Sequence, residues 1–373
     1  MNVKTEILKL SLTEKPLLLD GGGKLEHLQI AYQTYGKLNR DKSNAILVCH
    51  ALTGNAHAAG ILSSVEENKN ASPDLLGRYS QLYPNKSGWW DELIGEDKLF
   101  DTKKYFVVCP NILGSCYGST GPTTLFAGKP YRMDFPGISV RDMVKVQKYL
   151  IDFLEIKKLF TVVGGSLGGM QAIEWAIMYP DLVESIIPIA SSVQHSPWAI
   201  SFNRLSREAI MTDPNWMNGN YENQPAAGLS VARKIAMISY RSYESFKVRF
   251  DRNKDHRKGK FLIETFLDHH AEKLIERFDA NSYIALSKAM DKHDVAKNRG
   301  NLKEVLSSIR QKTLVIGISS DILYPPEEQK FIQSIIPNSI YKEIESIHGH
   351  DAFLIEFKQL EKIIGEFLSQ ILA

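Results

Sequence analysis

Five short runs of apolar, largely β-branched residues punctuate the chain: ILVCH (46–50), YFVVCP (105–110), FTVVGG (160–165), SIIPIAS (185–191) and TLVIGIS (313–319). Each is continuous rather than alternating, as expected of strands buried on both faces. Between the second and third runs, SVRDMVKVQKYLIDFLE carries Met143, Val146, Leu150 and Phe153 at spacings of three, four and three residues, which predicts an amphipathic helix. The closing stretch AFLIEFKQLEKIIGEFLSQIL repeats the pattern through Phe353, Phe357, Leu360, Ile364, Phe367 and Ile371. Strands alternating with helices predict an α/β fold with a mostly parallel sheet and right-handed crossovers.

The rhythm breaks after Ser191. From 192 to 310 no buried-strand pattern occurs, and stretches such as GLSVARKIAMISYRSYESFKVRF and DANSYIALSKAMDKHD read as helical. They hold enough apolar residues to pack, so the segment is expected to be a helical insertion and not a linker. The expected division is a core of 1–191 and 311–373 with a helical lid of 192–310. RNKDHRKGK (252–260) is read as a solvated loop, because no aromatic interleaving makes it a nucleic-acid surface.

Composition narrows the partners. With 45 basic and 43 acidic side chains and a formal net charge of +2, the 373-residue chain carries no field suited to nucleic acid or an anionic membrane. A small-molecule partner is expected instead. No run approaches the roughly 18 apolar residues of a membrane span, and MNVKTEILKLSLTEKP has no apolar signal core, so secretion is not indicated. Three cysteines, Cys49, Cys109 and Cys116, fit a reducing compartment. Cys49 and Cys109 close apolar runs, where buried structural thiols are expected.

The chemistry starts at TVVGGSLGGMQAIEWA (161–176), where a β-branched run turns into a helical one at Ser166. Gly164-Gly165-Ser166-Leu167-Gly168 fits the G-x-S-x-G nucleophile elbow, although a glycine-rich turn that merely carries a serine has the same letters. A serine nucleophile needs a base, and the base needs an orienting acid. In elbow enzymes these follow in the order serine, acid, histidine at the carboxyl ends of later strands. TLVIGISSDILYPP puts Asp321 just past one strand, and SIYKEIESIHGHDAFL puts His350 just past the next. The alternatives are a helix cap at Asp321 and His348 as the base. The H-G-H pair lacks the further ligands of a metal site. For an oxyanion, the backbone N–H of Leu167 is one expected donor and that of Leu52, in HALTGNAH (50–57), the other.

Eight segments carry a further likeness: HALTGNAH (50–57), GWWDELIG (88–95), NILGSCYGSTGP (111–122), FPGISVRDMV (135–144), VVGGSLGGMQAIEWA (162–176), GLSVARKIAMISYRS (228–242), SSDILYPP (319–326) and GHDAFLIE (349–356). Through them the chain resembles the homoserine O-acetyltransferases of the α/β-hydrolase superfamily. The resemblance implies acetyl transfer from acetyl-CoA, as donor substrate, to the hydroxyl of L-homoserine. That is an early step of methionine biosynthesis, in the cytoplasm, by a homodimer whose helical lids meet. It implies no bound metal or redox cofactor. It puts the triad on Ser166, Asp321 and His350, and substrate contacts on Arg233, Asp351 and Tyr240. Homoserine is zwitterionic, so a guanidinium at Arg233 suits its carboxylate and a carboxylate at Asp351 its ammonium. A surface arginine and an N-cap of the terminal helix are the other uses of these two residues. The family's TYRS reads Ser239-Tyr240-Arg241-Ser242 here. Succinyl transfer to homoserine, acetyl transfer to serine, an esterase or thioesterase, and a non-catalytic receptor of the same fold are the competing readings.

Overall fold

The apolar runs form the middle of an eight-stranded sheet. The computed structural model describes residues 1–62, 75–83, 85–255, 257 and 259–372. Its strands are β1 (Glu6–Ser11), β2 (His27–Tyr35), β3 (Ala45–Cys49), β4 (Phe106–Pro110), β5 (Leu159–Gly165), β6 (Ser185–Ile189), β7 (Lys312–Ile318) and β8 (Ser339–Ile344). They lie in the order β8-β7-β6-β5-β3-β4-β2-β1. From β4 through β8 every pairing is parallel; β2 runs antiparallel to both β4 and β1. The sheet is therefore mostly parallel, with an antiparallel edge.

Continuous apolar runs are needed because both faces are covered. Leu47, Cys49, Val108, Val162, Ile186 and Val315 point into one core, and their neighbours Ile46, Val48, Val107, Val163, Ile187 and Ile316 into the other. Helices α1 (Val140–Phe153) and α2 (Leu167–Met178) close the first face. In α1, Met143, Val146 and Leu150 are buried as expected, but Phe153 is exposed. It lies on the same side as buried Val146 but is the last residue of the helix.

Between β6 and β7 the chain adds no strand to this sheet. It forms α3 (Pro197–Met211), α4 (Ala226–Ser239), α5 (Tyr243–Phe250), α6 (Leu262–Arg277) and α7 (Ala280–Asp291). The basic stretch around 252–260 is mostly exposed and pairs Lys254–Asp255 with Lys260–Phe261; His256 and Lys258 lie outside the described residues. The inserted segment is tied to the core where it returns. Buried Glu174 of α2 takes Arg141 of α1 at 3.2 Å and Arg299 at 2.7 Å, while Arg141 also donates to the carbonyls of Asp294 and Val295. Burial pushes the Glu174 carboxyl up, and the two guanidiniums oppose that push.

After β7 come α8 (Pro326–Ile335) and α9 (Phe357–Leu372). Leu360, Ile364 and Phe367 of α9 cover the second face of the sheet. Among the described residues no helix is long and apolar enough to cross a membrane. Cys49, Cys109 and Cys116 are buried and unpaired, and burial pushes each thiol up, so none is poised as a nucleophile.

Candidate active site

β5 ends at Gly165 and α2 starts at Leu167, so Ser166 alone makes the corner, with φ 58° and ψ −124°. A side chain in that region costs about 1–3 kcal/mol of backbone strain. The corner is held by the Ser166 N–H donating to the Ile189 carbonyl and by the Ser191 hydroxyl donating to the Ser166 carbonyl, both at 2.9 Å. The glycines are required by close approach. A Cβ on Gly168 would lie 2.1 Å from the Cys49 carbonyl oxygen, and one on Gly165 would lie 2.6 Å from the Phe353 ring. Ser166 is 5% exposed, and its hydroxyl makes no hydrogen bond among the described residues.

Asp321 follows β7 and His350 follows β8, and the two meet: the His350 Nδ1 donates to Asp321 Oδ2 at 2.7 Å. The other carboxylate oxygen accepts the N–H groups of Leu323 and Tyr324 at 2.8 and 3.0 Å. Asp321 thus caps its own turn; α8 starts five residues later, at Pro326, so the helix-cap alternative is not used. With Nδ1 carrying the proton, Nε2 is the free base nitrogen. Burial opposes the charged ring, but the Asp321 carboxylate, through its charge and hydrogen bond, outweighs it. Asp351 adds to that, and the His350 pKa is raised above its ordinary value. The ring packs between Tyr240, Tyr324 and Phe353. His348 is only part-buried and its side chain takes no part in this arrangement.

Leu52 sits in the turn after β3, and Leu167 is the first residue of α2. Neither amide donates to a protein group among the described residues, so both are available to a ligand oxygen. Gln171 joins the two loops by donating to the carbonyls of Leu167 at 3.0 Å and His50 at 3.3 Å. His50 steadies the first: its Nε2 accepts from the Ile112 N–H at 3.1 Å and its Nδ1 donates to the Ala51 carbonyl at 2.8 Å. Burial pushes its pKa down to about 4, which keeps the ring neutral.

A cavity of about 230 Å³ opens over these groups, lined by Leu52, Arg233, Tyr240, Arg277, His350 and Asp351 among others, and by Gly165 next to Ser166. Larger hollows beside β8 and α9, of about 550 and 440 Å³, hold no such cluster. Arg233 reaches the cavity from α4. Its guanidinium carbon is 5.7 Å from the centre of the Tyr240 ring, it forms no ion pair among the described residues, and its Nε is buried without a partner. Asp351 lies in a short 3₁₀ turn, Gly349–Leu354, ahead of α9, so it is not that helix's N-cap. Its carboxylate pairs with Arg241 at 3.0 Å, and its N–H donates to the Tyr240 carbonyl at 3.3 Å. Among the described residues no group of three His, Cys, Asp or Glu side chains is placed to hold a metal.

Residues 44–357 match the alpha/beta hydrolase fold family. A homoserine O-acetyltransferase of Moorella thermoacetica is 47% identical over 95% of this chain and 94% of its own length. The chain belongs to the homoserine O-acetyltransferase family. The crystal structure of a family member from Bacillus anthracis superposes with a TM-score of 0.86 at 31% identity, over 99% of this chain and 98% of that one. An esterase, E22, superposes almost as well, with a TM-score of 0.84 at 28% identity, over 98% and 100% of the two chains. The fold is thus shared by transferases and esterases.

Relative to the site implied by the resemblance, the homoserine O-acetyltransferase site is built with residues that sequence reasoning missed, His50 and Arg277 lining the cavity and Arg241 standing behind Asp351. Arg241 is the ion-pair partner of Asp351; it stands inside the altered TYRS motif, next to Tyr240. Arg277 ends α6 and reads as an ordinary basic helix terminus. His50 ends an apolar run, and nothing in its spacing marks it as the brace of the next loop.

Proposed function

We propose that the chain transfers an acetyl group from acetyl-CoA to the hydroxyl of L-homoserine through an acetyl-serine at Ser166. The Ser166 Oγ attacks the thioester carbonyl while the His350 Nε2 takes its proton; the carbon–sulfur bond breaks and the thiolate leaves with that proton. Homoserine's hydroxyl then attacks the acetyl-serine, giving its proton to the same nitrogen, and Ser166 is reprotonated as the ester departs. Asp321 orients and charges the ring, and the N–H groups of Leu52 and Leu167 receive the oxyanion in both halves. Arg233 takes the acceptor's carboxylate, Asp351 its ammonium, and Tyr240 packs against the Arg233 guanidinium and the His350 ring.

The observation that carries this reading is Arg233. A guanidinium left without a carboxylate in a part-buried site is costly unless a ligand anion completes it. An ester substrate without a carboxylate gives it nothing to bind. Asp351 is shared with Arg241, so it meets the ammonium as one end of an ion pair and not as a free anion. The reading extends to a cytoplasmic homodimer serving methionine biosynthesis. Exposed apolar residues on α3 to α5, Trp198, Leu205, Val231, Ile238, Tyr243 and Val248, support contact through the lids.

The esterase likeness makes hydrolysis the competing reading. Offering the purified protein acetyl-CoA or succinyl-CoA with homoserine or serine, and weighing the products, decides between them. O-acetylhomoserine as the main product is expected. Acetate alone, or an equal yield with serine, would defeat the proposal.

A further inference from the structure

The cavity holds more positive charge than one amino-acid acceptor uses. Arg277 lines it from the end of α6, donating to the Thr53 carbonyl and the Tyr117 hydroxyl, each at 2.8 Å. Lys86 lines the same cavity from the core side. Lys273, one turn before Arg277 on the same face of α6, is exposed and close enough to disfavour the Lys86 charge. Burial and these two cations together push the Lys86 pKa down. None of the three forms an ion pair among the described residues, and neighbouring Glu276 bonds to none of them. The repulsion falls on Lys86, whereas the Tyr117 hydroxyl steadies Arg277; an anionic ligand set between these side chains would turn that repulsion into attraction.

We propose that Lys86, Lys273 and Arg277 form the phosphate-recognition site for the nucleotide half of the acyl donor. The proposal rests on the acetyl-CoA reading above and specifies where that donor lies. A cavity of about 230 Å³ is too small to enclose a coenzyme A thioester with a second substrate. Only the acyl end reaches Ser166, and the phosphates stay at the mouth. Lys86 lines the cavity with its ammonium 4.6 Å from the centre of the Tyr83 ring, and exposed Lys273 stands one turn along α6 from Arg277. Arg277 stands deeper and also fixes Thr53, the residue after the Leu52 donor, so donor binding and the oxyanion loop share one side chain.

The test uses the two lysines, because truncating Arg277 disturbs the loop. The double variant Lys86→Met with Lys273→Met is compared with native protein on acetyl-CoA, on succinyl-CoA and on S-acetylpantetheine, which has the thioester arm but no nucleotide phosphate. Losing two exposed charge contacts is expected to raise KM for acetyl-CoA about tenfold. At saturation kcat is expected to be unchanged, as is kcat/KM for S-acetylpantetheine, and Lys86→Arg with Lys273→Arg to restore the native KM. Equal losses on acetyl-CoA and S-acetylpantetheine, or none on acetyl-CoA, would overturn the site. A loss confined to succinyl-CoA would assign the cations to an acyl carboxylate and also overturn it. Native protein that acetylates homoserine from S-acetylpantetheine but not from acetyl-CoA would refute the donor itself, a failure visible before any variant is made.

Discussion

Replacing Asp321 by Asn isolates what the carboxylate does, because the shape of the side chain is kept. The amide oxygen of the Asp321→Asn variant can still accept from the N–H groups of Leu323 and Tyr324, at 2.8 and 3.0 Å from the native Oδ1. The turn and the melting temperature are therefore expected to survive. The NH₂ group then faces His350 Nδ1, 2.7 Å from the native Oδ2, and two donors cannot share a hydrogen bond. The ring answers by moving its proton to Nε2, the atom that must accept the serine proton. Loss of a charge-assisted hydrogen bond accounts for about 1.5–3 kcal/mol, and the wrong tautomer brings the total to the roughly 10⁴ in kcat seen for this change in triad proteases, or about 5.5 kcal/mol. The pH profile gives an independent check. In the proposed mechanism His350 is the neutral base, so activity is expected above its raised pKa and is lost as pH falls through it. Without Asp321, burial acts on the ring opposed only by Asp351, and the acid limb is expected to move to lower pH. Acetyl transfer from acetyl-CoA to homoserine, followed by thiol release across the acid and neutral range, reads both. A variant within tenfold of native, with its acid limb unmoved, would refute the role given to Asp321.

Ser166→Ala is expected to lower kcat by about 10⁴ to 10⁶ with secondary structure and melting temperature kept, since the side chain makes no hydrogen bond among the described residues; near-native transfer would exclude it as nucleophile. Arg233→Ala should lower kcat/KM for homoserine by the equivalent of about 1.5–3 kcal/mol without lowering the melting temperature, because no protein carboxylate is left unpaired; a destabilised variant with unchanged kcat/KM would make Arg233 a structural residue.

The centre of the sheet was legible because a strand buried on both faces must be apolar throughout. For the same reason Asp321 and His350 stood out, as titratable groups just past apolar runs. β1 was not legible, since its residues alternate between solvent and core and read as a charged stretch. The site residues from the inserted helical segment were the hardest. Arg241 and Arg277 acquire their roles from chain segments that meet only in three dimensions, one at Asp351 and one at Thr53, and a basic residue near a helix end carries no mark of its partner. Phe153 shows the converse error, a helical spacing carried to the last residue of the helix, where the side chain is left exposed.

The central claim is that one serine is acylated by the donor and then relieved by homoserine in preference to water. A pocket that excludes water and holds the competing hydroxyl in line gives the acceptor its advantage, and well-oriented groups reach effective molarities of about 10⁵ M or more. Rapid mixing with acetyl-CoA alone, while following free thiol, tests this directly, with homoserine added in a second push and the protein mass read between them. A burst of about one thiol per active site is predicted, with a mass gain of one acetyl group on Ser166 and fast turnover only after homoserine arrives. Steady thiol release at the same rate with and without homoserine would contradict the claim, and would make the chain a thioesterase working through the same three side chains.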